Sequence, residues 1–309
     1  MATGYGIITN CTARKRAVGQ VARLTPVERT GDPAAIAARW LKTTGRTHQT
    51  LTAGELYVGR AMTESHAVAS RVRGSLHVVS AGLGLAARED QVPNYDLTVS
   101  QGPGSLAPVL SQQGCNAARW WELLNELKGS PLPLSRLINR TPKTRFLLAM
   151  PSAYVAMLAG DLQHIQNSAR DRVFIFTSRV GANEVAARLQ RCVMPYDERL
   201  EGHKDYAGTR ADFPQRAMRH FVEEIGGHRL NVESAKAAVE RALSRLKKPI
   251  IPHRARKSDE EIIELLRTQW SAHEGSSSRL HRYLRDIALV ACEQARFGGL
   301  WRQLKAELA

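Results

Sequence analysis

Asn10-Cys11-Thr12 close an apolar run, Tyr5 to Asn10, and Lys15 and Arg16 follow directly behind. A polar loop at a strand's carboxyl end, with cations close by, suits phosphate or sugar binding. The plainer alternative is a solvated basic loop. Cys11 has the setting of an activated nucleophile, but with no obligatory base in sight a packing thiol is the better expectation. Ser80-Ala81-Gly82-Leu83-Gly84 end a second apolar run, where glycine permits a ligand to approach the backbone closely. The spacing is not GxGxxG, so no dinucleotide site is expected. Farther on, Asp96 stands beside Tyr95. A carboxylate next to a stacking face suits a nucleobase or sugar, where the acid activates water or stabilises an oxocarbenium ion. Otherwise Asp96 caps a turn.

Two later stretches carry cations. Met194 to Arg199 precedes Gly208 to Phe213, Gln215-Arg216 and Arg219-His220-Phe221. Interleaved Arg, His and aromatic residues resemble a strand-binding surface, with an ordinary amphipathic helix as the alternative. Ser276, Ser277, Ser278, Arg279, Arg282 and Arg285 accompany an apolar stripe of Leu280, Leu284 and Ile287. Hydroxyls followed by Arg at helical spacing can grip a nucleic-acid backbone, and with the preceding helix the region reads as helix-turn-helix-like. A packing-only helical cap is the competing reading.

The elements that must position these groups alternate. Tyr5 to Asn10, Ser75 to Ser80, Arg145 to Met150 and Arg172 to Phe176 are short apolar runs of the kind that form strands buried on both faces. Helical spacing appears at Ala34 to Thr43, with Asp32 as N-cap and Pro33 at the first helical position. It recurs at Thr52 to Ala69, Ala117 to Leu127, Ser152 through Leu162 and Ala182 to Leu189. Gly102, Pro103 and Gly104 mark a turn, and Pro-rich Ser130 to Lys143 reads as a long loop or an internal boundary. The pattern predicts an α/β fold, a mainly parallel sheet flanked by helices, with ligands at the carboxyl ends of the strands. From Asp212 the chain is almost wholly helix-forming, over Arg216 to Ile225, Val232 to Leu246 and Asp259 to Trp270. Pro249 and Pro252 interrupt it, a basic run spans His253 to Lys257, and Ser258 and Glu261 have capping-box spacing. The expected division is an α/β domain over 1–250 and a helical C-terminal module over 251–309, the latter with two helices after Gly275.

Of 309 residues, 44 are Lys or Arg and 29 Asp or Glu, a net charge of +15 that attracts polyanions, nucleic acid foremost. An anionic membrane surface fits less well, since no basic amphipathic helix with aromatic anchors is evident. A basic housekeeping enzyme using its charge for solubility is the bland alternative. The apolar content of 43% and charged content of 24% exclude wholesale disorder. No apolar run approaches the ~18 residues of a membrane span. An apolar strand precedes the first basic cluster, the reverse of a secretory signal, so a soluble cytoplasmic protein without membrane partners is expected. Cys11, Cys115, Cys192 and Cys292 are dispersed, with no CxxC or HExxH, so no disulfide framework, metal or cofactor is expected.

Taken in order, IITNCTARKR, ELY (Glu55 to Tyr57), HVVSAGLGLAARED and VPNYDLTV resemble the YaaA-like superfamily over about residues 5 to 100. Gly82 stands where that family usually has Lys, and Asn94 is inserted between Pro93 and Tyr95. The group includes DNA-binding peroxide-stress proteins. Related domains resemble uracil-DNA-glycosylase-like folds and accompany tRNA deazaguanine-modifying enzymes, and anti-phage DNA glycosylases acting on hypermodified bases lie nearby. The resemblance implies a glycosylase that flips a modified base out of double-stranded DNA and excises it. Asn10 and Asp96 would be catalytic, and Tyr95, Cys11 and Gly82 would meet the base. Ser80 and Ser178 would contact phosphate or sugar. Lys15, Arg16, Arg179, Arg210, Arg279 and Arg282 would hold the backbone. The alternatives are a non-catalytic DNA-binding stress or defence protein and a tRNA-guanine-transglycosylase-like enzyme acting through a covalent carboxylate.

Overall fold

The computed structural model describes residues 4–17, 19–47, 50–99, 105–248 and 253–308. The expected turn at Gly102, Pro103 and Gly104 and the breaks at Pro249 and Pro252 lie outside the described residues. Strands β1 (Gly4–Asn10), β2 (Thr50–Thr52), β3 (Ser75–Ser80), β4 (Gly84–Ala87), β5 (Gln91–Pro93), β6 (Thr144–Ala149) and β7 (Val173–Phe176) form two sheets. The larger has the order β4-β3-β1-β6-β7, while β2 and β5 pair antiparallel. Central β1 runs parallel to β3 and β6, β6 runs parallel to β7, and edge strand β4 is antiparallel to β3. Ile7, Ile8, Leu147, Leu148, Phe174 and Phe176 are wholly buried. Strands covered on both faces read as continuous apolar runs, which is why their sequence shows no alternation.

The helices of the same body are α1 (Pro33–Gly45), α2 (Ala53–Leu56), α3 (Arg60–Val72), α4 (Ala107–Gln112), α5 (Ala117–Leu127), α6 (Pro133–Arg140), α7 (Ser152–Met157), α8 (Ala159–Gln163), α9 (Arg179–Glu184), α10 (Phe213–Glu223) and α11 (Val232–Leu243). α3 and α10 pack on each other and on the sheet, and α5 packs with α1, α7 and α8. Asp32 caps α1 through Ala35 N, with Pro33 in the first turn, as its sequence signature implies.

Three local expectations are corrected and one is refined. Thr52 to Ala69 is two helices, because Tyr57-Val58-Gly59 bonds to the loop after β1 instead of continuing a helix. The AGLGL segment, expected as a glycine-containing loop, is a tight turn into the edge strand β4. Ser130 to Lys143 contains α6, whose Leu134 and Ser135 amides donate to the buried Asp161 carboxylate at 3.0 and 2.8 Å. That cap comes from 26 or 27 residues away in sequence, so no local pattern announces it. The helix expected over Ala182 to Leu189 instead spans Arg179–Glu184, begun by the Ser178 cap and ended by Gln190, whose amide donates to Ala182 O and Val185 O.

The chain divides into two compact units, Met1–Pro249 and Ile250–Ala309. The second contains α12 (Asp259–Gln269), α13 (Ser277–Arg282), a π-helical turn Tyr283–Ile287 and α14 (Gln294–Glu307). Its core is Ile262, Leu266, Leu280, Leu284, Phe297 and Leu304. The Ser258 and Glu261 capping box is formed. The two helices expected after Gly275 are α13 and α14, and α13 is six residues long and widens into the π turn.

His220 is almost fully buried, its Nδ1 2.8 Å from the Tyr196 hydroxyl. Burial pushes the pKa of His220, and that of His228, from the ordinary 6.5 down to about 4. The unfolded chain therefore takes up these protons first as pH falls. The stability that depends on neutral imidazoles is complete above about pH 6.5 and is lost progressively toward pH 4. The denaturation midpoint is expected to fall on acidification through this window, and to fall less for His220→Gln. Equal acid sensitivity in that variant would remove His220 as a cause.

Candidate functional site

The chain passes from β1 to β3 on one side and later returns to β6 on the other. Such a switch point opens a crevice outside the strand ends. The loop after β1 is held there by backbone exchange with the α2–α3 link. Arg16 N donates to Leu56 O at 2.8 Å, Val58 N to Arg14 O at 3.1 Å, and Thr12 Oγ1 to Val58 O at 3.0 Å. This exchange brings Lys15 and Tyr57 together. Lys15 Nζ lies 4.2 Å from the Tyr95 ring centre and 6.0 Å from that of Tyr57. The Tyr57 hydroxyl is 2.9 Å from that of Tyr95, which is 2.5 Å from Ser80 Oγ.

On the β6 side, Cys11 Sγ is 3.0 Å from the Tyr154 hydroxyl of α7. Asn10 Nδ2 donates to Cys11 O at 2.8 Å, and Asn10 Oδ1 accepts from Gln215 Nε2 of α10 at 2.8 Å. Gln215 Nε2 also reaches Thr9 Oγ1 and Ala149 O, leaving its buried Oε1 without a hydrogen-bond partner among the described residues. Burial raises the pKa of Tyr57, Tyr95 and Tyr154, so these phenols stay protonated at neutral pH. Burial lowers that of Lys15, an effect opposed by the nearby Cys11 and Asp96. Asp96 is 3.2 Å from Arg23, and its side chain is 41% exposed, so an incoming ligand can reach it. The arrangement offers a reachable carboxylate, backed by a half-buried amine and neutral phenols.

The sequence-predicted residues divide sharply. Asn10, Cys11, Lys15, Tyr95 and Asp96 do come together, but several in roles other than those expected. Tyr95 is not an open stacking face: it is 2% exposed and packs edge-on against Trp40. Gly82 serves that packing, since a Cβ there would lie 2.8 Å from the Tyr95 ring and 3.2 Å from Trp40. Its carbonyl accepts from Trp40 Nε1 at 2.6 Å. Ser80 is wholly buried and accepts from the Gly82 and Leu83 amides, so it shapes the turn and does not meet phosphate. Ser178 caps α9 at the end of β7, two strands from β1.

The strand-binding surface expected around Arg216 and Arg219 is internal. Arg216, Phe213 and Phe221 are buried, and Arg219 bonds to Glu64 and Glu223 at 2.9 and 2.8 Å. Arg16, Arg179 and Arg210 remain exposed, without a side-chain hydrogen bond or ion pair among the described residues, as does Arg14. Arg279 is paired with Glu274 at 2.7 Å. Sequence reasoning missed Tyr154, and it placed Gln215 in a strand-binding stretch instead of beside Asn10. Tyr154 stands just beyond the end of β6, where the strand-end rule points. Gln215, 205 residues from Asn10, had no signal.

Division into units also relocates the charge. Residues 250–309 hold ten Lys or Arg and eight Asp or Glu, a net +2, so +13 of the +15 belongs to residues 1–249. Among the described residues no helix is long and apolar enough to cross a membrane, and no group of His, Cys, Asp and Glu is placed to hold a metal ion. No protein-family model, curated protein or solved structure matches the chain.

Proposed function

We propose that this chain is a nucleic-acid-directed N-glycosidase that extrudes a modified base from double-stranded DNA and releases it, leaving an abasic site. The observation that carries the reading is the reachable Asp96 carboxylate near Lys15 at the carboxyl edge of the central strand. As the bond from sugar to base breaks, its electron pair leaves with the base and positive charge develops on the sugar. Asp96 stabilises that charge and takes the proton of the attacking water, whose oxygen bonds to the sugar carbon. Lys15 supplies positive charge, or a proton, to the departing base. Asn10 orients base or water through the amide hydrogen it does not spend internally. Exposed Arg14, Arg16, Arg179 and Arg210 supply phosphate contacts within the strongly basic unit. Action in the cytoplasm agrees with four free thiols.

A non-catalytic DNA-binding role is the second reading. It is favoured by the burial of Tyr95, which removes the expected stacking face. Incubating the purified chain with plain and hypermodified phage DNA separates the two. Release of free base with matching alkali-labile sites is expected from modified DNA alone. Tight, salt-sensitive binding without release from any modified DNA would decide for the second reading.

A further inference from the structure

The 250–309 unit contains a recess of about 850 Å³ between the α13–π-turn segment and α14. Its size lies within the range of small-ligand sites. Arg282 and Arg285 line it, and neither side chain has a hydrogen bond or ion pair among the described residues. Both face the same recess, one from the end of α13 and the other from the π turn that follows. Arg285 sits on the π-helical turn, a rare geometry that recurs at functional sites. The hydroxyls of Ser276, Ser277 and Ser278 border the same space.

The remaining wall carries His281, Phe297 and Trp301 together with Asp286, Gln294 and Gly298, and the Asp286 carboxylate is paired with Arg254 at 3.3 Å. The His281 and Phe297 rings lie 4.5 Å apart, and Trp301 closes one end by donating from Nε1 to Gly275 O at 2.9 Å. His281 Nε2 is buried with no partner among the described residues, a cost that a folded unit normally avoids. With a unit charge of only +2, these two arginines are not part of a general basic coat. They are unpaired cations set beside hydroxyls and an aromatic wall, which is the chemistry of a phosphate attached to a base.

We infer that this recess is a second nucleic-acid site, which holds a nucleotide of an unpaired strand, with Arg282 and Arg285 on its phosphate and the aromatic wall against its base. It rests on the nucleic-acid reading of the chain and not on base excision. The test uses the full chain and a 5′-fluorescein oligodeoxythymidylate, with a fluorescein-labelled plain duplex as comparison, read by anisotropy across a salt series. Arg282→Ala/Arg285→Ala removes no internal bond. Gly298→Leu fills the recess without altering charge, since a Cβ at Gly298 meets nothing within 4 Å. Arg245→Ala/Arg256→Ala removes two exposed charges that do not line the recess.

Both recess variants are expected to weaken single-strand binding at least tenfold and to leave duplex binding within about twofold. The arginine pair should also flatten the salt dependence by roughly 1.4 in log–log slope, and the control should stay within about threefold. Single-strand binding unchanged in both recess variants overturns the inference while leaving the nucleic-acid reading intact. So does equal loss on single strand and duplex, or competition by polyglutamate but not by unlabelled oligodeoxythymidylate. Absence of any binding by the wild-type chain overturns both.

Discussion

Asp96→Asn is expected to lower base release by about 10²–10⁴-fold, the usual contribution of one positioned acid–base group, while leaving DNA binding equal or tighter. The direction of the binding change follows from the ion pair. Arg23 now shares its charge with Asp96 at 3.2 Å, and removing the carboxylate frees that guanidinium for phosphate. Both side chains of the pair are substantially exposed, so the substitution leaves no buried charge and the fold should be unaffected. Base release is measured chromatographically on modified DNA and binding by anisotropy on the same substrate. Full release by Asp96→Asn would remove Asp96 from the chemistry. Loss of binding together with release would mark it as an architectural residue of the loop.

Arg216→Met is expected to destabilise the 1–249 unit by about 3–5 kcal/mol, the cost of breaking a buried pair from one side. Arg216 is wholly buried. Its Nε is 2.7 Å from Asp212 and its Nη2 is 2.7 Å from Glu201 and 2.6 Å from Thr209 O, while Nη1 donates to Tyr206 O. One guanidinium thus ties the 201–212 loop to α10, the helix that carries Gln215 to Asn10. Gly208 has to be glycine here, because a Cβ would lie 2.6 Å from Arg216 Nε. Arg216→Lys should recover only part of the loss, since one ammonium cannot span four acceptors in a planar fork. The readout is the denaturant midpoint at neutral pH. A loss below about 1 kcal/mol would show that the network's desolvation cost cancels its bonds.

Much of the fold was legible because its causes are local. β3 and α5 appear where their apolar periodicity places them, and the caps at Asp32 and Ser258 form within three residues of their partners. The readings that failed met a distant competitor. Tyr57 leaves helical geometry to pair with the loop after β1, and Asp161 makes a helix of a Pro-rich stretch. Among candidate site residues, proximity was foreseen better than role. Tyr95 and Asp96 are adjacent in sequence, yet the ring points into the core and the carboxylate meets solvent. Nothing in the VPNYDLTV motif states which of two neighbours will be buried.

The sequence alone settled the α/β class, the four parallel strands and the strong positive charge, because hydrophobic period and ionisable count are carried by neighbouring residues or by simple sums, while the short strands β2, β4 and β5 went unread. Tertiary structure alone decided which polar groups meet. Cys11 finds Tyr154 from 143 residues away, and Asn10 finds Gln215 from 205, because β1 lies between β3 and β6 and α10 packs against α3, β6 and β7. It also decided where the charge acts, by burying Arg216 and leaving Arg14, Arg16 and Arg210 in solvent. A guanidinium reads the same in both settings. Only the surrounding carboxylates and carbonyls determine whether it holds the fold together or remains free for an anion.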